Sequence, residues 1–223
     1  MEILRRIGRL EGGTFAEFGV GDGTQNNTLI LAALGWKGFW VGGQDLAVEL
    51  DANPRFTYQK AWITADNIVT SSRFCMQRIG ATHVDVVSLD LDGNDIYLAE
   101  KLLADGLRPQ LFIVEYNGKF PPPVKFQIAY DPGHVWQSDD YFGASLTSFA
   151  ELFERFGYRL VCCNAHSGSD AFFVDAALSE HFADVPTDIG QLYVEPRYFL
   201  YGGFGQHRTS PRTVASILAG AGR

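Results

Sequence analysis

Cysteine is scarce and positive charge is short in this 223-residue chain. Its three cysteines, Cys75, Cys162 and Cys163, form no Cys-x-x-Cys pair, and two are adjacent. That spells neither a disulfide framework nor a zinc cluster, and a reducing compartment fits best. Lys and Arg number 18 against 26 Asp and Glu, a net −8. Such a field repels a phosphate backbone, so no nucleic-acid partner is expected. Nowhere do the ~18 consecutive apolar residues of a membrane span run together. Residues 1–13 hold Arg5, Arg6 and Arg9 and no continuous apolar core, so a soluble, cytoplasmic protein without a membrane partner is expected. Internal repeats and low-complexity blocks are absent too. What the chain has is 46% apolar and 20% charged residues, the composition of a globular domain with a sizeable core. Its length points to one larger domain rather than two small ones.

Short apolar runs alternate with helix-period stretches. Strands are expected at 14–19, 39–41, 56–63, 84–89 and 111–116, with helices at 28–34, from Leu46 to the stop at Pro54, at 67–79 and at 96–103. The run Val84 to Leu89 is rich in β-branched residues, as a strand buried on both faces should be. Residues 117–143, with Pro121, Pro122, Pro123 and Pro132, are one long irregular stretch of the kind that forms a lid or binding loop. Ser145 is placed to cap a helix whose Leu146, Phe149, Phe153 and Phe156 keep three-to-four spacing. Runs 158–163 and 171–175 are joined by too short a link for a parallel crossover and should pair antiparallel. The pattern predicts an α/β fold: a doubly wound, mostly parallel, seven-stranded sheet with a C-terminal antiparallel hairpin. Ligands of such sheets gather outside the carboxyl ends of the strands.

The first strand runs into Glu17-Phe18-Gly19-Val20-Gly21-Asp22-Gly23-Thr24. Glycines here let a ligand approach the backbone and let strand and helix pack closely. A dinucleotide fingerprint would want Gly where Thr24 stands, and Glu17 and Asp22 would repel a pyrophosphate. A positively charged ligand suits this turn better, and S-adenosylmethionine carries an ammonium and a sulfonium. Past the fourth strand, Asp90-Leu91-Asp92-Gly93-Asn94-Asp95 puts three carboxylates at the mouth of an apolar strand, costly unless a cation is held there or unless Asp92 to Asp95 serve to cap the next helix. The fifth strand ends in Glu115-Tyr116-Asn117. Asp90, Glu115 and Asn117 supply hard oxygen ligands of the kind Mg²⁺ or Ca²⁺ accepts.

Glu17 to Gly23 matches the Glu-x-Gly-x-Gly-x-Gly motif of the class I, Rossmann-like S-adenosylmethionine-dependent methyltransferases, which the chain resembles. The runs Asp90 to Asp95, Val114 to Asn117, Asp140 to Leu146 and Asp170 to Val174 look similar to the sugar and macrolide O-methyltransferase branch, over about residues 14–175. The resemblance implies an S-adenosylmethionine site at Glu17, Gly19, Gly21, Asp22, Gly23, Thr24 and Asn27. It implies ribose contact split between Gln44 and Asp45 and adenine beside Ile63 and Thr64, and Asp90 is a candidate both for cofactor binding and for catalysis. In the metal-dependent members an acid follows strand four and an adjacent acid and Asn follow strand five; here Tyr116 separates Glu115 from Asn117, and the need for a metal stays open.

Methyl transfer is an in-line displacement in which the protein positions the acceptor and deprotonates it. His134 in the long loop and His166 in the hairpin both lie at the active edge and are the candidate bases. Tyr116, Trp136, Tyr141 and Phe142 are candidate walls of an acceptor pocket. Residues 1–177 are expected to form the methyltransferase domain. The tail, 178–223, carries Tyr198, Phe199, Tyr201, Phe204, His207, Arg208 and Arg212, and should cover the sheet or build a homo-oligomer contact. The expected function is O-methylation of a small-molecule hydroxyl, on a sugar or a secondary metabolite. N-methylation, a nicotinamide-dependent oxidoreductase and a non-catalytic binding module are the alternatives.

Overall fold

The computed structural model describes residues 1–50, 53–197 and 211–218. A short helix α1 (Glu2–Arg6) leads into β1 (Thr14–Phe18), followed by α2 (Leu29–Ala33), β2 (Lys37–Gly42), β3 (Phe56–Lys60) and α3 (Ile68–Arg78). Then come β4 (Val86–Leu89), α4 (Asp95–Ala104), β5 (Leu111–Glu115), α5 (Leu146–Arg155), β6 (Tyr158–Cys163) and β7 (Asp170–Asp175). A 3-10 helix (Ala176–Phe182), α6 (Ile189–Leu192) and α7 (Pro211–Leu218) complete the order.

All seven strands form one sheet in the order β3-β2-β1-β4-β5-β7-β6. The first five are parallel, and β7 inserts antiparallel between β5 and β6. This is a doubly wound, Rossmann-like α/β sheet, and strand order reverses beside β1, so the crevice between the carboxyl ends of β1 and β4 is the switch point where such sheets bind ligands. Both faces are covered, so the strands read as nearly continuous apolar runs. On one face Ala16, Phe18, Phe39, Val87, Leu89, Phe112 and Val114 pack with α3, α4 and α5. On the other, Phe15, Trp40, Val86, Leu111 and Ile113 pack with Leu4, Leu31, Phe182 and, from α7, Val214 and Leu218.

The strands alternate faces with period two. Glu17, Ser88 and Glu115 therefore project on the same face as Phe15, Val86 and Ile113, toward the start of α2. Ser145 does cap α5, accepting from the Ser148 N–H.

Two expectations fail. No helix follows Leu46: residues 43–50 are irregular, and Leu46, Val48 and Leu50 pack against the α2-face core. Apolar residues two apart fit extended backbone, not a 3.6-residue turn. The third strand stops at Lys60 instead of Ile63, which frees Ala61–Ile63 to leave the sheet. After α6, residues 193–197 run across the active edge: the Tyr116 hydroxyl donates to the Val194 carbonyl (2.7 Å) and the Arg197 N–H to the Ser167 carbonyl (2.8 Å). Tyr198, Phe199, Tyr201, Phe204, His207, Arg208 and the Arg212 side chain lie outside the described residues. Among the described residues no helix is long and apolar enough to cross a membrane.

Candidate functional site

A cavity of about 340 Å³ opens at the switch point, lined from each strand end in turn: Gly19 and Gly21 after β1, Gly42 to Gln44 around the end of β2, Ala61 to Ile63 after β3, Asp90 to Asp92 after β4, and His134 to Trp136 from the long loop. Gly19 sits at φ +93°, and a Cβ on it would stand 1.7 Å from the Asp90 carbonyl oxygen. Only glycine lets β1 turn against the end of β4 this closely. Gly21, at φ +54°, would meet nothing within 4 Å. Its missing side chain leaves open space on the cavity wall.

Behind this wall lies a row of carboxylates. Leu89 pairs with Val114, and Glu115 pairs with Asp170, so Asp90, Glu115 and Asp170 follow one another across three neighbouring strand ends at roughly 5 Å spacing. Ligand oxygens of Asp90, Asp92 and Glu115 all lie within 4.8 Å of one another. Burial pushes Asp90 well above the usual carboxylate range, and the charges of Asp95, Asp170, Asp92 and Glu17 push further. Glu115 is raised in the same way, by burial and then by Asp90, Asp95, Asp92 and Asp170. Burial also raises Asp92, against a pull from His134. Asp170 is raised by burial despite hydrogen bonds from Asn164, Asn27 and Ser169. Among the described residues no Lys or Arg forms an ion pair with any of these four. Asp170 is buried, Asp90 and Glu115 are half-buried and Asp92 is exposed; carboxylates this close together favour holding protons or a cation.

Glu17 does not face the cavity. It is buried, and its carboxylate accepts from the Asn27 N–H (2.8 Å), the Thr28 N–H (2.9 Å) and the Thr28 hydroxyl. It therefore fastens the start of α2 to β1, and burial holds its carboxyl up at about 7. Asn27 turns its amide to Ser88 (3.2 Å) and Asp170 (3.4 Å). Asp22 is exposed and accepts from the Thr24 N–H (3.0 Å) and hydroxyl (2.6 Å), so both shape the turn instead of lining the cavity; Gly23 packs on Leu46 and Trp40. Of the seven residues expected around this turn, Gly19 and Gly21 line the cavity, while Glu17, Asp22, Thr24 and Asn27 are taken up by hydrogen bonds within the protein and Gly23 by packing. The ribose pair divides as well: Gln44 lines the cavity, while Asp45 points outward to Lys60 (2.7 Å). Ile63 lines it beside Trp62; Thr64 instead lies in the turn that precedes α3, its N–H donating to Asn67 Oδ1 (2.9 Å).

The long loop is tied down over the site. The Trp62 indole N–H donates to the Pro132 carbonyl (2.7 Å), and the Asn94 amide to the Asp131 carbonyl (2.7 Å). These ties set His134 over Gly93, where a Cβ would meet its Cδ2 at 2.4 Å. His134 Nε2 is buried without a hydrogen-bond partner, in a residue that lines the cavity. His166 is exposed in the β6–β7 turn, where its backbone N–H donates to Asn164 Oδ1 (3.0 Å), and it does not line the cavity. Asn117 does not join the carboxylate cluster: it is buried at the loop's base, donating to the Asp140 (2.9 Å) and Phe142 (3.0 Å) carbonyls. Asp92 takes its place. Asp95 builds the turn that presents Asp92, accepting from the Leu91 (2.8 Å) and Gly93 (3.1 Å) N–H groups, with burial raising it to about 6. Of the four proposed aromatic walls only Trp136 lines the cavity; Tyr116 and Phe142 are core, and Tyr141 stands 6.2 Å from the His134 ring.

Sequence reasoning missed Asp170, Asp92 and Trp62 as site residues. Asp170 shares strand parity with Val174, which packs on the α2 face; that period-two signal was available. Asp92 and Trp62 sat in runs already singled out, but their orientation depended on turns closed by distant residues.

No protein-family model and no curated protein matches the chain. Among solved structures, MycE, a methyltransferase of the mycinamycin biosynthetic pathway solved with Mg, SAH and mycinamycin VI, is similar at 13% identity and TM-score 0.40, over 78% of this chain and 45% of that one. The methyltransferase domain of bacterial CtHen1-C gives 15% and 0.45 over 78% and 93%. YjhP from E. coli gives 19% and 0.37 over 72% and 64%. The chain thus spans less than half of that MycE chain. Likenesses this faint transfer no residue role.

Proposed function

We propose that the chain is an S-adenosylmethionine-dependent methyltransferase acting on a hydroxyl of a small molecule. The observation that carries this reading is the cluster of half-buried and buried carboxylates at a switch-point cavity, which among the described residues has no Lys or Arg partner. A cationic ligand relieves its mutual repulsion, whereas the pyrophosphate of a nicotinamide dinucleotide would add to it. The open space at Gly21 and the orphaned His134 Nε2 are what a ligand-filled cavity requires.

When bound, S-adenosylmethionine supplies a methyl group already activated by its sulfonium. The chain's own part is placement and proton removal. The backbone at Gly19 and Gly21 lets an adenosyl group approach, the Gln44 amide offers hydrogen bonds to ribose hydroxyls, and Ile63 and Trp62 give an apolar bed for a base. Asp90 and its neighbours hold positive charge beside the reacting centre. His134 takes the acceptor's proton at Nε2. Orientation of this kind is worth roughly 7–11 kcal/mol of a barrier.

Asp90, Asp92 and Glu115 also have the donor set of a hard divalent cation, which would polarise an acceptor oxygen. Calorimetry with S-adenosylhomocysteine is the decisive experiment: binding in the micromolar range is expected, and no heat at millimolar ligand overturns the reading. Repeating it with Mg²⁺ and with a chelator reads out the cation.

A further inference from the structure

Among the described residues, large apolar side chains left exposed are concentrated on one rim. Trp62 (55% exposed), Tyr130 (37%), Val135 (58%), Trp136 (44%) and Tyr141 (49%) make up five of the ten among the described residues. Trp62, Val135 and Trp136 line the switch-point cavity, and Tyr130 and Tyr141 come from the same loop, the latter against His134. Contiguous exposed apolar surface of this kind marks a binding face. Several of its polar atoms are engaged: Trp62 Nε1 donates to the Pro132 carbonyl, Trp136 Nε1 to the Asp139 carbonyl (2.7 Å), and the Tyr130 and Tyr141 hydroxyl oxygens accept from the Ala65 (2.9 Å) and Ala129 (3.3 Å) N–H groups, each keeping its own O–H to donate. What the rim offers a ligand is ring faces, a valine and two tyrosine O–H donors. Just inside this apolar collar stand Asp92 and Asp90, with Glu115 behind.

We infer that the methyl acceptor is a flat, apolar, ring-bearing molecule that carries no negative charge, and that Trp136 selects it by stacking at the mouth of the cavity. This rests on the methyltransferase reading and names its substrate class. A sugar would lay most of its hydroxyls over ring faces and a valine that give them no partner, with only the two tyrosine O–H groups at the rim and the carboxylates inside it to bond them. A carboxylate or phosphate next to the reacting hydroxyl would be repelled by the acidic row. A neutral aromatic meets neither obstacle, and its face complements the indole in offset or edge-to-face contact.

The test uses the full chain with saturating S-adenosylhomocysteine and three probes followed by equilibrium dialysis: naphthol, hydroxynaphthoate and methyl glucoside. Naphthol is expected to bind at least about tenfold more tightly than either of the others. Trp136→Ala should weaken naphthol about tenfold and leave S-adenosylhomocysteine affinity within twofold, while Phe74→Ala, which removes an equally exposed aromatic ring on α3, changes neither. Should S-adenosylhomocysteine bind but hydroxynaphthoate or the glucoside match naphthol, or Trp136→Ala leave naphthol unchanged, the acceptor inference falls and the methyltransferase reading stands. Should S-adenosylhomocysteine itself not bind, both fall.

Discussion

Glu17 shows how one residue's place in a motif and its place in the fold can differ. Its carboxylate is spent on the first turn of α2, so its removal leaves the Asn27 and Thr28 N–H groups without their acceptor. Glu17→Ala is expected to lose roughly 1–3 kcal/mol of stability in urea denaturation, with any loss of S-adenosylhomocysteine affinity following from that loosening and not from a lost contact. His134 is the opposite case, a residue lining the cavity whose ring nitrogen Nε2 is buried and unpartnered. If it is the base, His134→Asn lowers kcat by about 100- to 10,000-fold and leaves S-adenosylhomocysteine affinity within twofold. Gly93→Ala should lower kcat as well, since its methyl displaces the ring from 2.4 Å away.

At the scale of elements, the β1–α2 turn and the long loop do different work. Gly19 is where backbone meets backbone: Gly19→Ala combines a left-handed φ, which costs about 1–2 kcal/mol, with overlap against the Asp90 carbonyl, so the variant should melt far lower or fail to fold. Gly21→Ala pays only the φ term of about 1–2 kcal/mol and should fold, but its methyl enters the cavity and weakens S-adenosylhomocysteine binding by calorimetry. The long loop was legible as a binding loop from its prolines and length, yet which of its residues face inward was not. That depends on Trp62 and Asn94, 70 and 37 residues away from their partners in the loop. The predicted helix after Leu46 failed for a local reason, since Leu46, Val48 and Leu50 alternate.

For the whole molecule, the buried carboxylates link stability to pH. Glu17 and Asp95, raised to about 7 and about 6, keep their protons to higher pH in the native state than in the unfolded chain. Protons are then bound in excess by the native state between the unfolded and folded values, so the ligand-free protein loses stability as pH rises from about 4 through about 7, by roughly 3 kcal/mol for Glu17 alone. Asp90 and Glu115 act in the same direction. Thermal melts of the ligand-free protein across that range should show the decline. S-adenosylmethionine should raise the melting temperature more at the alkaline end, where the carboxylates are ionised and a cation is most needed. A melting temperature that climbs steadily to pH 8 would contradict this.

Local signals in the chain set the alternation of strands and helices through periodicity, the turn after β1 through its glycines, the closing antiparallel hairpin through its short link and the cap at Ser145 through its hydroxyl. Each follows from residues within a few positions of one another, where steric and hydrogen-bonding preferences act locally. Which carboxylates share a site, that Glu17 turns away while Asp170 joins from the last strand, and that Asp92 stands where Asn117 was expected were decided by the tertiary structure. Strand order and register bring residues 90, 115 and 170 together, and no local preference encodes which strand lies beside which.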